Sequence, residues 1–276
     1  MIVDVHVHTP KQAETVAPIM SKPGYRGDKQ YKTNVSWPEF LAAMEPVDKL
    51  ILLGIAHHSV TPNDDIARWA AMCPAKIVPF CSVDPTAPDC IEELERCVQD
   101  LGAKGIKVSP HYQNWHPMDP RACALYARAE RLGLPIAFHQ ATSPVRSAPL
   151  RYAHPMALDE VATAYPELRI VVAHLGHPWQ PDTIALIRKH PHVYTDISAQ
   201  FYRPWQYYNA LMLCQEYAQM HKVFFGTDYP VTTPQETLDA TRGINDMLEG
   251  THLPRISEDE IEAIIHRDAL ALLGID

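Results

Sequence analysis

Residues 4–8 read Asp-Val-His-Val-His. Alternation by two sets Asp4, His6 and His8 on one face of an extended segment and Val3, Val5 and Val7 on the other. Buried without partners, each of those polar side chains would cost on the order of 1–3 kcal/mol. A divalent cation shared by the two imidazoles removes that cost. The His-x-His pair is weak evidence alone, because 15 His in 276 residues supply roughly one such pair by chance. Three other apolar runs also finish on a ligand type: Ala137-Phe138-His139, Val172-Ala173-His174 and Gly226-Thr227-Asp228. Neutral imidazoles with one carboxylate suit one divalent metal, Zn²⁺ first, with Mn²⁺ or Fe²⁺ as alternatives. Such a site keeps a place for water and lowers its pKa toward ~7.

Something must bring these distant residues together. Short apolar runs recur over Ile2–His8, Lys49–Ile55, Lys76–Val83, Ala103–Val108, Leu134–His139, Leu168–His174, His192–Ser198 and Lys222–Asp228. Their richness in Val, Ile, Leu and Phe fits strands covered on both faces. The stretches between them read as helices. Asp119 and Pro120 supply an N-cap and a Pro at N1, and Gly133 closes the segment. Ser257 and Glu260 form a capping box ahead of Ile261, Ile264, Ile265 and Leu272, with Gly274 as the stop. Pro88–Leu101, Pro155–Tyr165, Pro181–Lys189, Trp205–Met220 and Gln235–Leu248 are further helices. Eight strands alternating with helices predict a single (β/α)₈ TIM barrel over residues 1–276. In that fold, catalytic groups come from the C-terminal ends of several strands. An open doubly wound sheet is the runner-up, but Thr9-Pro10-Lys11 stands where its Gly-rich first turn belongs. The long segment 9–46 after the first strand is expected to be a lid or pocket wall.

Composition narrows the partners. The chain is 46% hydrophobic and 21% charged, which excludes a disordered or fibrous protein. Twenty-four Lys and Arg against 33 Asp and Glu give a net charge of −9, so neither nucleic acid nor an anionic membrane is the expected partner. No apolar run reaches the ~20 residues of a membrane span, and the opening residues lack a secretory signal. Six scattered cysteines without a CxxC pair read as reduced thiols in a cytoplasmic protein.

Three stretches carry a resemblance: His6-Val7-His8, His174-Leu175-Gly176-His177-Pro178-Trp179 and Gly226-Thr227-Asp228-Tyr229-Pro230. Nearly end to end, the chain resembles the amidohydrolase superfamily. It is most similar to the branch that includes 2-amino-3-carboxymuconate-6-semialdehyde decarboxylase and related aromatic acid decarboxylases, hydratases and lactonases. The resemblance implies one metal held by His6, His8, His139 and Asp228, with His174 as base or water-orienting group. It also implies a homodimer.

Lys107 ends the fourth strand. It reads first as an ammonium holding a substrate carboxylate, then as a structural ion pair, then as the carbamate of binuclear superfamily members. His177 and Trp179 read equally as pocket-lining residues and as the start of the next helix. Arg26 is a candidate carboxylate clamp, as are Arg146 and Arg203, although a solvated surface arginine is the commoner case. Asp4 reads as structural, and His111 is the loop histidine placed nearest the site. These assignments predict a metal-dependent hydrolase that attacks an ester, lactone or amide of a small carboxylated molecule with metal-activated water. Non-oxidative decarboxylation of a muconate-like or aromatic acid uses the same ligands and is the alternative. A barrel that binds without turnover is the third reading.

Overall fold

The computed structural model describes residues 1–8, 35–56 and 62–275. Arg26, the His57-His58 pair and most of the long segment after the first strand lie outside the described residues. Eight parallel strands follow one another around the sheet in chain order. They are β1 (Val3–Val7), β2 (Lys49–Leu53), β3 (Ile77–Ser82), β4 (Gly105–Val108), β5 (Ile136–Phe138), β6 (Ile170–Val172), β7 (Val193–Asp196) and β8 (Val223–Phe224). The seam closes where Val5 N donates to Phe225 O at 3.0 Å and Asp228 N donates to His6 O at 2.8 Å. The fold is the expected (β/α)₈ barrel.

Among the described residues the α-helices are α1 (Trp37–Ala43), α2 (Asn63–Met72), α3 (Cys90–Gln99), α4 (Pro110–Gln113), α5 (Pro120–Leu132), α6 (Ala157–Ala164), α7 (Gln180–Lys189), α8 (Pro204–Glu216), α9 (Pro234–Arg242), α10 (Glu258–Ile265) and α11 (Ala269–Leu273). Asp119 caps α5 through Arg121 N, and Gly133 ends it at φ 68°. Ser257 does precede α10, but its side chain makes no cap bond. The reciprocal capping boxes belong instead to Ser36/Glu39 on α1 and Thr233/Glu236 on α9. The last helical stretch is also two helices, with Asp268 capping the second through Ala271 N.

The strands sort their side chains to two faces. Leu50, Leu52, Ile106, Val108, Ile136 and Phe138 pack among the helices. Ile51, Leu53, Ala137, Val171 and Phe224 pack inside the barrel with Ala269, Leu270 and Leu273 of α11. Lys107 is in register with Ala137, and Asp196 with Phe224, so both point inward.

The first strand departs from simple alternation. Asp4 pairs with Leu50 and Val7 with Leu52, so three steps on β1 match two on β2. One extra residue makes a β-bulge. Ahead of it Val3 and Val5 face the barrel interior, and Asp4 shares the outer face with Leu50. Beyond it Val7 lies outside with Leu52, which turns His6 and His8 inward. The expected common face for Asp4, His6 and His8 is thus corrected. Asp4 fastens the bulge, accepting from His6 N at 3.1 Å, Thr227 N at 3.0 Å and Thr227 Oγ1 at 2.7 Å. Burial pushes its carboxyl up to about 7, against the pull of those donors.

Candidate active site

The bulge delivers His6 and His8 to the C-terminal mouth of the barrel. His6 Nδ1 lies 3.0 Å from Asp196 Oδ2. A carboxylate only accepts, so Nδ1 donates to it, and Nε2 is the nitrogen that faces Asp228. That Nε2 is 3.7 Å from Asp228 Oδ1, and His8 Nε2 is 3.3 Å from the same oxygen. His6, His8 and Asp228 bring their ligand atoms within 4.8 Å of one another, and all are buried.

Asp228 reaches this point through an unusual backbone. Its φ is 63°, the left-handed region that costs a non-glycine residue energy. Bonds from Asp228 N to His6 O and from Val231 N to Asp228 O, each 2.8 Å, hold it there. Gly226 lets β8 come close, since a Cβ there would lie 3.2 Å from the His6 Cβ.

His174 sits after β6 at φ 58°, followed by Leu175 at φ 52°. Its N–H donates to Asp196 Oδ1 at 3.0 Å, and its Nδ1 lies 2.7 Å from Ser198 Oγ. The Ser198 hydroxyl donates to Asp196 Oδ1. Ser198 Oγ must therefore accept from His174 Nδ1–H, which leaves His174 Nε2 unprotonated. One carboxylate, Asp196, fixes the tautomers of both His6 and His174. Asp196 went unnoticed in the sequence, although it ends β7 as His139, His174 and Asp228 follow their own strands.

His139 closes the other side. Its ring centroid is 4.8 Å from those of both His174 and His111, and 5.3 Å from Tyr112. His6, His174 and Asp196 form the second ligand-type cluster among the described residues, and His139 belongs to neither cluster. His111 is fully buried and neither ring nitrogen has a hydrogen-bond partner among the described residues.

Burial sets the protonation of this site. It lowers His8, drives His139 well below the ordinary histidine value, and takes His174 and His111 down to about 3. For Asp228, burial alone would raise the carboxyl, but His174, His8 and His6 outweigh it and hold it below the usual range. Neutral imidazoles facing an ionised carboxylate are what a divalent cation requires.

A cavity of about 270 Å³ opens onto His139, His174, His177 and Asp228. Lys107, expected to hold a substrate carboxylate, does not line it: the residue is 1% exposed, with Nζ 3.3 Å from His6 Nε2, and burial pushes its amine down to about 8, against the pull of Asp196 and Asp228. Trp179 is not among the cavity's lining residues; its ring packs on His154 at 4.9 Å, just ahead of α7. A larger hollow of about 540 Å³ between α7 and α8 holds none of the site's ligand-type residues.

The family model described as amidohydrolase matches residues 3–275. Among solved structures, an uncharacterised TIM-barrel protein from Bordetella bronchiseptica aligns at TM-score 0.76 with 22% identity, covering 99% of each chain. A dihydroxybenzoic acid decarboxylase from Polaromonas sp. JS666, with manganese and 2-nitroresorcinol bound, aligns at 0.69 with 18% identity over 99% of this chain and 96% of the other. A probable 2-pyrone-4,6-dicarboxylic acid hydrolase from Acinetobacter baumannii, with citric acid bound, aligns at 0.68 with 17% identity over 99% of each. At these identities the likeness concerns the fold.

Proposed function

Given that the chain belongs to the amidohydrolase family, which its match over residues 3–275 establishes, we propose that this enzyme is a metal-dependent hydrolase of an ester, lactone or amide bond in a small carboxylated molecule. The observation that carries the reading is the convergence of His6, His8 and Asp228 within 4.8 Å. His6 offers Nε2 because Asp196 occupies Nδ1. His139 faces the same cavity as Asp228 and completes the proposed ligand set. A bound zinc ion, or manganese or iron in its place, acts as a Lewis acid toward water and a carbonyl oxygen.

The remaining chemistry belongs to the side chains. Asp228 is held ionised, so its carboxylate takes the proton of the attacking water and returns it to the leaving group. His174, with Nδ1 committed to Ser198, presents a neutral Nε2 that accepts a hydrogen bond from that water and aims it. Burial of His6, His174 and Asp228 strengthens these interactions by excluding solvent.

Decarboxylation is the second reading, favoured by the alignment with the dihydroxybenzoic acid decarboxylase. In that reaction the substrate's C–CO₂⁻ bond breaks, CO₂ leaves, and a proton is delivered to the carbon. A panel of lactones, carboxylated muconates and resorcylates separates the two. Hydrolysis releases acid without CO₂, and decarboxylation releases CO₂. A His6→Ala, Asp228→Ala double variant that stays fully active without metal overturns both.

A further inference from the structure

We propose that the turn after β7 is a substrate-recognition subsite, in which Arg203 binds a carboxylate and Gln200 accepts a hydrogen bond from a hydroxyl on the same ligand. This rests on the reading of the cavity as the active site. Gln200 and Arg203 are the first and fourth residues of one turn, closed by Arg203 N donating to Gln200 O at 2.9 Å. Both line the cavity that also opens onto His139, His174 and Asp228.

Each carries an unused polar atom. Gln200 is 1% exposed. Its Nε2 donates to His174 O at 3.1 Å and Ser198 O at 3.4 Å. Both neighbours are carbonyls, so the amide nitrogen must face them and Oε1 must face elsewhere. Gln200 Oε1 and Arg203 Nη1 are buried and have no hydrogen-bond partner among the described residues. A buried donor and a buried acceptor left unmade are costly, and a ligand that supplies both partners recovers that cost. The guanidinium lies 4.3 Å over the Tyr202 ring, which restricts its orientation. It stands at the N-cap of the thirteen-residue helix α8, where the backbone dipole also favours an anion.

The ligand chemistry follows. Arg203 is a cation that donates only, so it selects an anion, and its planar guanidinium matches a carboxylate. Gln200 Oε1 accepts only, so it selects a hydroxyl or amine hydrogen and rejects an ether or a second carboxylate. The favoured class is a hydroxylated acid bearing a carboxylate that the catalytic groups do not use.

Calorimetric titration with benzoate, isophthalate and 5-hydroxyisophthalate tests this on the zinc-reconstituted protein. Isophthalate should bind about tenfold more tightly than benzoate, and 5-hydroxyisophthalate tighter again by a few-fold. Arg203→Gln should erase the first gain, with Arg203→Lys in between. Gln200→Leu should erase only the hydroxyl gain. A merely structural role weakens all three acids alike and lowers the melting temperature. Equal affinity ratios in wild type and Arg203→Gln overturn the proposal. Elemental analysis keeps the two readings apart: a metal-free wild-type protein sinks the metal-dependent reaction, while the affinity ratios still report on Arg203 and Gln200.

Discussion

Asp196 Oδ2 sits 3.0 Å from His6 Nδ1, while Oδ1 of the same carboxylate accepts from His174 N, Ser198 N and the Ser198 hydroxyl. A single buried anion thus orients an imidazole on β1 and another after β6. Asp196→Asn keeps the size but puts a donor where a hydrogen already points. Metal affinity should fall roughly 10–100-fold, the usual effect of losing such a supporting carboxylate. Competition with a chromogenic chelator measures it, and an unchanged dissociation constant contradicts the assignment.

Asp4 and Thr227 fasten the bulge that aims His6 and His8. Thr227→Val removes the hydroxyl that reaches Asp4 Oδ2 at 2.7 Å and should cost about 1–3 kcal/mol in urea denaturation. Asp4→Ala strips the acceptor from all three donors and should cost more. It should also reduce metal content, because the bulge loses its anchor. A stable Asp4→Ala protein with full metal occupancy argues against this fastening.

The strand runs and most helices were readable from apolar periodicity, Pro and Gly punctuation, and the Asp119 cap. The strand-end histidines were readable because a ligand type closing several strands at once is rare by chance. The bulge was not. An extra residue is defined only by comparing β1 with its neighbour β2, and Asp4-Val5-His6 reads as clean alternation alone. Asp196 obeyed the strand-end rule and went unnoticed. Arg203 was readable only as one of three candidate clamps and Gln200 carries no local signal, since a turn residue's unused hydrogen bond appears only in three dimensions.

Metal should stabilise the folded chain by mass action. At free zinc near 100 times the dissociation constant the gain is about 2.7 kcal/mol. Differential scanning calorimetry should show a higher melting temperature with zinc than after chelation. His6→Ala should abolish that difference, because His6 lies in the compact ligand group; His139→Ala should only diminish it, because His139 lies outside that group. Equal effects of the two substitutions contradict the geometry.

Acid stability carries a separate signature. Arg121, through its side chain and its backbone N–H, lowers the Asp119 carboxyl to about 2 from the model-peptide value of 3.8. A depressed carboxylate contributes stability that is present above its unfolded pKa and lost as pH falls through its folded value. Asp119→Asn should therefore melt below wild type at neutral pH, and the gap should close between about pH 4 and pH 2. A gap independent of pH excludes this carboxylate as the source.

The fastening of β1 has a consequence for biosynthesis. Thr227 lies 223 residues after Asp4, so a growing polypeptide leaving the ribosome exposes its first two imidazoles long before their anchor exists. Asp228 arrives at the same late moment. The group formed by His6, His8 and Asp228 is therefore assembled only once the barrel has closed on itself.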